Sequence, residues 1–198
     1  MKKENNAMYI LRLAATLLAI CAVVALALAG VNAITKDRIA AVKAEKTQKA
    51  ISEVLPSVSG VEEIAFTDET GLVRKVYQAQ YPVDQMDLLY YGGAECYAVE
   101  VTPAGFNGEI TMMVGVDSTG RVLGISIISH TETAGLGAVA AANNAKGQAF
   151  RDSFIDLFAP VSPSKDGGQA DTITGATITS RAICDGVNAA VACVKALG

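Results

Sequence analysis

Five hydroxyl side chains lie close together near the C-terminus, in the ten-residue stretch DTITGATITS (171–180). They are Thr172, Thr174, Thr177, Thr179 and Ser180. No histidine, cysteine or lysine occurs in this stretch to activate any of these hydroxyls as a catalytic nucleophile. An apolar helix is predicted directly afterwards, and Ser or Thr at its start would cap free backbone N–H groups. Capping accounts for one or two of the five hydroxyls.

The same helix end is also suited to a phosphate group. Gly175 precedes the predicted helix, and a helix N-terminus presents free N–H groups together with the positive end of the helix dipole. Because no activating neighbour is present in the sequence, a threonine here would accept a modification made by another enzyme. A phosphate ester of that threonine would lie naturally at the helix end, and Ser180 would remain as the capping residue.

A second candidate segment, HTETAGLG (130–137), contains the one histidine of the chain. His130 and Glu132 are alternate residues of a segment predicted to be extended, so their side chains would point to the same side as an acid/base pair. No nucleophile or metal ligand clusters with them in the sequence. A structural histidine is therefore the favoured interpretation, and no catalytic residue is predicted in this chain.

The residues Gly135-Leu136-Gly137 begin a G-x-G-x-x-A pattern that ends at Ala140. The connection from the preceding predicted strand is too long for the tight strand–turn–helix fingerprint of a dinucleotide-binding fold. The glycines are equally explained by a turn at which the backbone comes close to a flat ligand. The sequence therefore disfavours a dinucleotide-binding fold.

Charge and composition exclude several classes of function. Residues 1–58 carry eight Lys/Arg and four Asp/Glu, whereas residues 59–198 carry eight and sixteen, a net charge of −8. Such an acidic segment repels phosphate backbones, so no nucleic-acid partner is expected. One histidine and four cysteines without a CxxC pair predict no metal site. Buried free thiols are favoured over a disulfide among Cys96, Cys184 and Cys193.

The first element along the chain is an apolar N-terminal segment. Leu13 to Ile34 runs 22 residues without a charge, enough for a helix that crosses a hydrocarbon core of about 30 Å. A cleaved signal peptide is the rival interpretation, because Ala27-Leu28-Ala29 resembles a cleavage site. The length of the run favours a retained anchor within 1–34. Basic residues flank the segment on both sides, so charge alone does not set its orientation, and contacts with membrane lipid are expected.

A juxtamembrane stalk is predicted over 35–58, and its helix is expected to end at Leu55-Pro56. The rest of the chain, 59–198, forms the predicted domain. Strands are predicted at 61–66, 71–80 and 96–106, and in a hairpin whose turn is Ser118-Thr119-Gly120. A loop is expected around Tyr81 to Tyr91.

Two helices are predicted after the hairpin. The first covers Ala149 to Phe158, with Phe150, Phe154, Leu157 and Phe158 on one face, and the second covers 181–197. Strands followed by helices indicate a mixed α+β domain behind a single transmembrane helix.

The stretch DTITGATITS resembles the flavinylation motif of the FMN-binding domain family, Asp-x-x-Ser/Thr-Gly-Ala-Ser/Thr-x-Ser/Thr. The resemblance implies FMN joined through its phosphate to Thr179 by a separate flavin transferase. The remaining motif positions would surround that attachment point: Asp171, Thr174, Gly175, Ala176 and Thr177. HTETAGLG resembles the family segment His-x-Glu-Thr-Pro-Gly-Leu-Gly, which lies over the flavin. Its candidate contacts are His130, Glu132, Thr133, Gly135, Leu136 and Gly137.

The chain departs from the family pattern in two places. Ala134 replaces the usual proline, so this loop is less constrained. GFNGEI (105–110) resembles the glycine-rich turn before the family's hairpin, but no tryptophan follows it. Contact with the flavin ring is therefore expected from Leu136.

The single span, the hairpin and both motifs together resemble the G subunits of Rnf electron-transport complexes. The resemblance implies an electron-transfer subunit of an ion-translocating ferredoxin:NAD+ oxidoreductase, partnered by the other membrane subunits of that complex. Its FMN domain would lie on the extracytoplasmic side of the cell membrane, and ferredoxin and NAD would bind other subunits. Two alternatives stay open: the C subunit of sodium-translocating NADH:quinone oxidoreductase, and a non-redox anchored binding domain in which the hydroxyls only cap a helix.

Overall fold

The computed structural model of the chain describes residues 2–56, 58–80 and 95–197. The chain forms two compact units, Met1–Glu45 and Lys46–Gly198. A helix makes up the described part of the first unit, and the second contains a five-stranded sheet with further helices. The loop predicted around Tyr81 to Tyr91 lies outside the described residues.

The first helix, α1, runs without interruption from Lys2 to Val54. Its charge-free run exposes large apolar side chains, among them Leu18, Leu26 and Leu28. By length and composition α1 qualifies as a candidate membrane span. It ends where the sequence predicts, because Pro56 disfavours helical backbone in the residue before it.

Five antiparallel strands form one sheet in which each strand pairs with its neighbour in sequence. They are β1 Ser59–Ile64, β2 Val73–Gln80, β3 Glu95–Val101, β4 Thr111–Asp117 and β5 Val122–Ser129. A strand occurs in each predicted range. Val101 pairs with Met112 and Ser129 pairs with Thr111. The C-terminal ends of β3 and β5 therefore lie at the same end of the sheet, where the segments that follow these two strands begin.

The β4–β5 hairpin closes around one buried carboxylate. Asp117 Oδ1 accepts hydrogen bonds from the backbone N–H and the hydroxyl of Thr119, at 2.9 and 2.6 Å, and from the backbone N–H of Arg121 at 3.0 Å. Gly120 supplies the positive φ of the turn, +86°. The predicted hairpin and its Ser-Thr-Gly turn are thus confirmed.

The central strands β3 and β4 are buried on both faces of the sheet, which explains why they alternate only partly between apolar and polar residues. On one face, Val99 and Val101 pack with the C-terminal helix, α3 (Thr177–Leu197). On the other, Cys96, Ala98 and Met113 pack against the last turn of α1, through Ile51 and Val54, and against Leu55. The final turns of α1 therefore belong to the core of the second unit. The division of the chain into an anchor, a stalk and a domain, with boundaries at residues 34/35 and 58/59, stays a prediction.

The three cysteines of the second unit are buried free thiols, as the sequence favoured. Burial raises the pKa of Cys96 and of Cys184 to about 12, and it also raises that of Cys193. Each thiol therefore stays protonated at neutral pH and packs as a small apolar side chain.

The helix predicted over 149–158 is displaced toward the N-terminus: α2 covers Ala145–Asp152. Phe150 and Phe154 are buried as expected, but Phe158 is 53% exposed. The reason is tertiary, because Phe158 forms an isolated antiparallel bridge with Arg121 and the carbonyl of Leu157 accepts the N–H of Val122. These bonds require extended backbone where the sequence pattern predicted helix.

The architecture is α+β, as predicted. The described strands form an antiparallel meander, whereas a dinucleotide-binding fold needs a mostly parallel sheet. The glycine pattern at residues 135–140 leads into a short 3-10 helix, Gly137–Ala141, in place of the α-helix of that fold.

Candidate functional site

Thr179 lies in the first turn of α3, which begins at Thr177, and is 1% exposed. Gly175, with φ of +79°, turns the chain into the helix. The Thr179 hydroxyl donates a hydrogen bond to Oε2 of Glu132, which is 47 residues earlier in the chain. The inference that no neighbour could activate this hydroxyl is therefore wrong, because the fold brings the carboxylate of a residue distant in sequence against it.

The Glu132 carboxylate is held from two sides. Its Oε1 accepts the backbone N–H of Asn107 at 2.9 Å, and its Oε2 accepts the Thr179 hydroxyl. Asn107 belongs to the segment after β3, and Glu132 belongs to the segment after β5. The two segments meet because β3 and β5 finish at the same end of the sheet. Glu132 is buried at that end, with an exposed fraction of 9%.

His130 does not pair with the Glu132 carboxylate as an acid/base pair would. Its Nδ1 accepts the backbone N–H of Glu132 at 3.2 Å. The histidine therefore orients the backbone of Glu132, as the structural interpretation predicted, while the carboxylate points to Thr179.

Eight of the predicted site residues line one cavity of about 310 Å³, called here the Thr179 cavity. They are Glu132, Thr133, Leu136, Gly137, Gly175, Ala176, Thr177 and Thr179. Two further residues, Phe106 and Ile178, complete the lining. Phe106, Leu136 and Ile178 are 67%, 43% and 50% exposed, so the cavity has an apolar rim that is open to a ligand.

Three predicted residues line a second cavity of about 540 Å³. They are Gly135, Asp171 and Thr174, and Lys146 and Phe150 also line it. Gly135 is adjacent in sequence to Leu136, and Thr174 is adjacent to Gly175, so two segments of the chain each contribute residues to both cavities. His130 lines neither of these two cavities.

Glycines leave the space in which the side chains of Thr179 and Glu132 meet. A Cβ added at Gly137 would lie 2.6 Å from Thr179 Oγ1, and one added at Gly105 would lie 2.5 Å from Glu132 Oε1. At Gly175 a Cβ would lie 3.0 Å from Leu136 Cδ2, in addition to the strain of its positive φ. The close approach to a ligand that the sequence suggested for Gly135 and Gly175 stays a prediction, because a Cβ at Gly135 would meet no atom within 4 Å, although Gly135 also has a positive φ, +76°.

The neighbouring hydroxyls have different partners. Ser180 accepts the backbone N–H of Ile173 at 3.0 Å and donates to the carbonyl of Ala176 at 3.1 Å. It lies inside α3, so the prediction that it caps the helix is wrong. Thr177 accepts a hydrogen bond from Lys165 Nζ at 3.2 Å, which places a cation beside the positive end of the helix.

Lys165 is held in place by a short 3-10 helix, Ser164–Asp166. Its backbone N–H donates to Thr172 Oγ1 at 3.2 Å, and its neighbour Asp166 forms two hydrogen bonds of 2.7 Å with Arg181 of α3. The bonds from Arg181 hold the pKa of Asp166 below its usual value. Two basic side chains, Lys165 from the loop and Arg181 from the helix itself, thus lie at the first turns of α3.

Sequence reasoning missed Phe106, Asn107, Lys165 and Ile178 as neighbours of the site. The resemblance of GFNGEI to a glycine-rich turn was the available signal for the first two, but it did not indicate which side chains reach Glu132. Lys165 lies in a polar loop without a recognisable motif, and its position depends on the Asp166–Arg181 pair.

Comparison with known proteins adds to this geometry. Residues 105–192 match the FMN-binding domain family, and residues 1–54 match the RnfG N-terminal region. The G subunit of the ion-translocating oxidoreductase complex of Methanosarcina acetivorans is 34% identical over 189 residues, which cover 91% of this chain and 92% of the relative. The corresponding protein of Haemophilus influenzae is 32% identical over 168 residues, covering 78% and 75%.

Two further similarities are more limited. The G subunit of the proton-translocating ferredoxin:NAD(+) oxidoreductase complex of Clostridium ljungdahlii is 40% identical over 95 residues, covering 48% of this chain and 51% of the relative. Among solved structures, the C subunit of the Na(+)-translocating NADH-quinone reductase of Parabacteroides distasonis covers 61% of this chain and 76% of its own, at 20% identity and a TM-score of 0.38. The latter similarity is too weak to support an argument.

A long apolar helix followed by an α+β FMN-binding domain defines a membrane-associated flavin-binding protein. Within that class, the chain belongs to the family of G subunits of ion-translocating oxidoreductase complexes. The resemblance to Rnf G subunits is thereby confirmed.

Proposed function

We propose that this chain carries FMN joined by a phosphoester to Thr179 and relays electrons within an ion-translocating ferredoxin:NAD+ oxidoreductase complex. One observation carries the proposal: the Thr179 hydroxyl lines a cavity at the N-terminal end of α3, beside glycines and below an apolar rim. The relatives named as G subunits of such complexes support the redox role.

The residues present fit an FMN group. A cavity of about 310 Å³ lies within the range of small-molecule sites, and Phe106, Leu136 and Ile178 offer apolar surface to a flat ring. The first turn of α3 and the nearby Lys165 suit the phosphate. When bound, the flavin supplies the redox chemistry, while the protein fixes its position and surroundings.

The other predicted residues take supporting roles in this proposal. Thr133, Gly137 and Gly175 let the chain approach the ligand closely, and Ala176 and Thr177 form the start of the helix around the phosphate. Asp171, Thr174 and Gly135 line the second cavity, where the flavin transferase that attaches FMN would recognise the motif.

The same proposal assigns partners and location. The apolar run of α1 would anchor the chain in the cell membrane, with its flanking basic residues at the lipid headgroups. The other membrane subunits of the complex would be its protein partners, and the FMN domain would lie on the extracytoplasmic side. A C-terminal fusion to a reporter enzyme that is active only outside the cytoplasm tests this orientation, and an inactive reporter on a stable fusion contradicts it.

Intact mass tests the covalent attachment. We expect the full chain, coexpressed with a flavin transferase, to gain the mass of one FMN group and to turn yellow, and Thr179→Ala to gain neither. Thr172→Ala is the matched control, because it removes a hydroxyl of the same stretch that is not a defined position of the motif and does not line the Thr179 cavity, and it should still gain the mass of one FMN group. If wild type gains no mass in the presence of active transferase, or if Thr179→Ala is still modified, the proposed attachment is wrong.

A further inference from the structure

We propose that Glu132 is the base that takes the proton from the Thr179 hydroxyl when FMN is attached, so that the acceptor domain contributes to the chemistry of its own modification. This inference rests on the proposed attachment of FMN to Thr179. It assigns Glu132 a role before the flavin is in place, in addition to any contact with the bound ring.

The hydrogen-bond partners distinguish Thr179 from its neighbours. Its hydroxyl donates to a carboxylate oxygen, and both groups are buried. The Ser180 hydroxyl donates instead to a backbone carbonyl, and that of Thr177 meets the Lys165 ammonium. A carboxylate that accepts the hydrogen of a hydroxyl is in the geometry required of a general base. Of these three hydroxyls, only that of Thr179 donates its hydrogen to a group that could act as a base.

The carboxylate is positioned as a base would be. Asn107 N–H binds Oε1 at 2.9 Å, which leaves Oε2 directed at Thr179. Gly105 and Gly137 lie on either side of the pair, and a Cβ at either position would fall within 2.6 Å of one of its oxygen atoms. The pair also lines the Thr179 cavity, so a nucleotide phosphate that enters the cavity meets the hydroxyl and the base together.

The step balances with a flavin dinucleotide as donor, in which the FMN phosphorus is bonded through a phosphoanhydride to a nucleoside monophosphate. Thr179 Oγ1 forms a bond to that phosphorus, and the phosphoanhydride P–O bond breaks. The nucleoside monophosphate leaves with the electron pair of the broken bond. The hydroxyl proton passes to Glu132 Oε2, and no oxidant or reductant is needed.

The same transfer removes a charge conflict in the product. The phosphodiester formed at Thr179 is an anion, and an ionised Glu132 beside it would repel it. A Glu132 that has kept the proton is neutral and is able to donate a hydrogen bond to the ester. Proton transfer to this residue therefore favours both the reaction and its product.

The test measures the initial rate of mass gain of the full chain with purified transferase and saturating flavin adenine dinucleotide. We expect Glu132→Gln, which keeps the size of the side chain but not its basicity, to lower this rate by about 10²- to 10⁴-fold. Glu53→Gln is the matched control, because Glu53 also accepts a hydroxyl hydrogen bond, from Ser126 at 2.6 Å, and does not line the Thr179 cavity. It should be modified at the wild-type rate, and circular dichroism melting curves should show that both variants are folded.

A second variant separates a base from a packing group. Glu132→Ala should be modified slowly, and added formate should restore its rate at least tenfold by acting as the missing carboxylate. A folded Glu132→Gln that is modified at the wild-type rate, or a folded Glu132→Ala that formate does not rescue, overturns the assignment of the base while Thr179 attachment stands. If wild type itself gains no mass, the proposed function and this inference both fail.

Discussion

At the scale of single residues, the candidate site depends on one hydroxyl whose environment is made by distant parts of the chain. Thr179 meets Glu132 from the segment after β5, and Glu132 is held by the backbone of Asn107 from the segment after β3. Gly137 passes beside this pair with no room for a side chain. The chemistry available to Thr179 is therefore set by packing as much as by its own motif.

Gly137→Ala should separate Thr179 from Glu132. The added Cβ would lie 2.6 Å from Thr179 Oγ1, closer than van der Waals contact allows, so one of the two side chains must move. We expect flavin attachment to slow at least tenfold and the free energy of unfolding to fall by about 1–3 kcal/mol, as for other overpacked sites. Mass gain with time and urea denaturation measure the two effects.

The control for this substitution is Gly124→Ala in β5. The atom nearest to its added Cβ is Val54 Cα at 3.8 Å, an ordinary contact, and Gly124 does not line the Thr179 cavity. Attachment at the wild-type rate is expected there. A Gly137→Ala protein that is modified as fast as Gly124→Ala would show that the close approach at Gly137 has no role in the reaction.

The sequence predicted which residues belong to the site better than it predicted their contacts. The motif and HTETAGLG identified eight of the ten residues that line the Thr179 cavity. The pairing of Glu132 with Thr179 was missed because the two residues are 47 positions apart, and no local pattern records such a contact. Phe106 and Ile178 were missed because an exposed apolar residue is ordinary on a protein surface.

At the scale of elements, the end of α1 is part of the domain that carries the site. Val54 and Leu55 are 1% and 0% exposed, and they pack with Met113 of β4. The helix comes so close to the sheet that a Cβ at Gly115 would lie 2.8 Å from the Val54 carbonyl oxygen. A glycine in the middle of a central strand is explained here by close approach of another backbone.

Gly115→Ala should therefore destabilise the domain, because backbone atoms cannot move aside as a flexible side chain can. We expect a loss of about 1–3 kcal/mol in the free energy of unfolding. Gly124→Ala is again the matched comparison, since Gly124 pairs with Gly115 across β4 and β5 but has its nearest neighbour at 3.8 Å. Urea denaturation of both variants measures the difference, and equal midpoints would contradict the packing described for the end of α1.

Elements with strong local signals were predicted well, and elements fixed by tertiary contacts were not. Two β-rich runs around a Ser-Thr-Gly turn predicted the hairpin, and Pro56 predicted the end of α1. The predicted helix 149–158 followed an aromatic periodicity that is real for Phe150 and Phe154. Its C-terminal half failed because the backbone of Leu157 and Phe158 bonds to the start of β5, a pairing that the local pattern does not contain.

At the scale of the whole molecule, the two compact units divide within α1, at Glu45/Lys46. Residues 46–198 contain the sheet, both described apolar clusters and all residues that line the Thr179 cavity. The exposed apolar run lies in residues 1–45. The chain thus separates a part suited to lipid from a part that holds its own core and site.

A pair of truncations tests where the independently folding part begins. A fragment of residues 46–198 keeps Ala50, Ile51, Val54 and Leu55, so we expect it to be soluble, to melt cooperatively and to accept flavin at Thr179. A fragment of residues 58–198 lacks these four side chains and exposes the sheet face that they cover. Burying one large aliphatic side chain is worth about 1.5–3 kcal/mol, so the loss is on the order of 5 kcal/mol. A typical domain has about 5–15 kcal/mol of stability in total.

The shorter fragment is therefore expected to be largely unfolded at 37 °C, or to melt far below the longer one. Circular dichroism melting and urea denaturation of the two fragments measure the difference. A third fragment of residues 40–198 is the control, because it adds only exposed residues of α1 and should match 46–198 in both measurements. If 58–198 were as stable as 46–198, the last turns of α1 would be a stalk joined to a complete domain, and the boundary predicted at residues 58/59 would be the correct one.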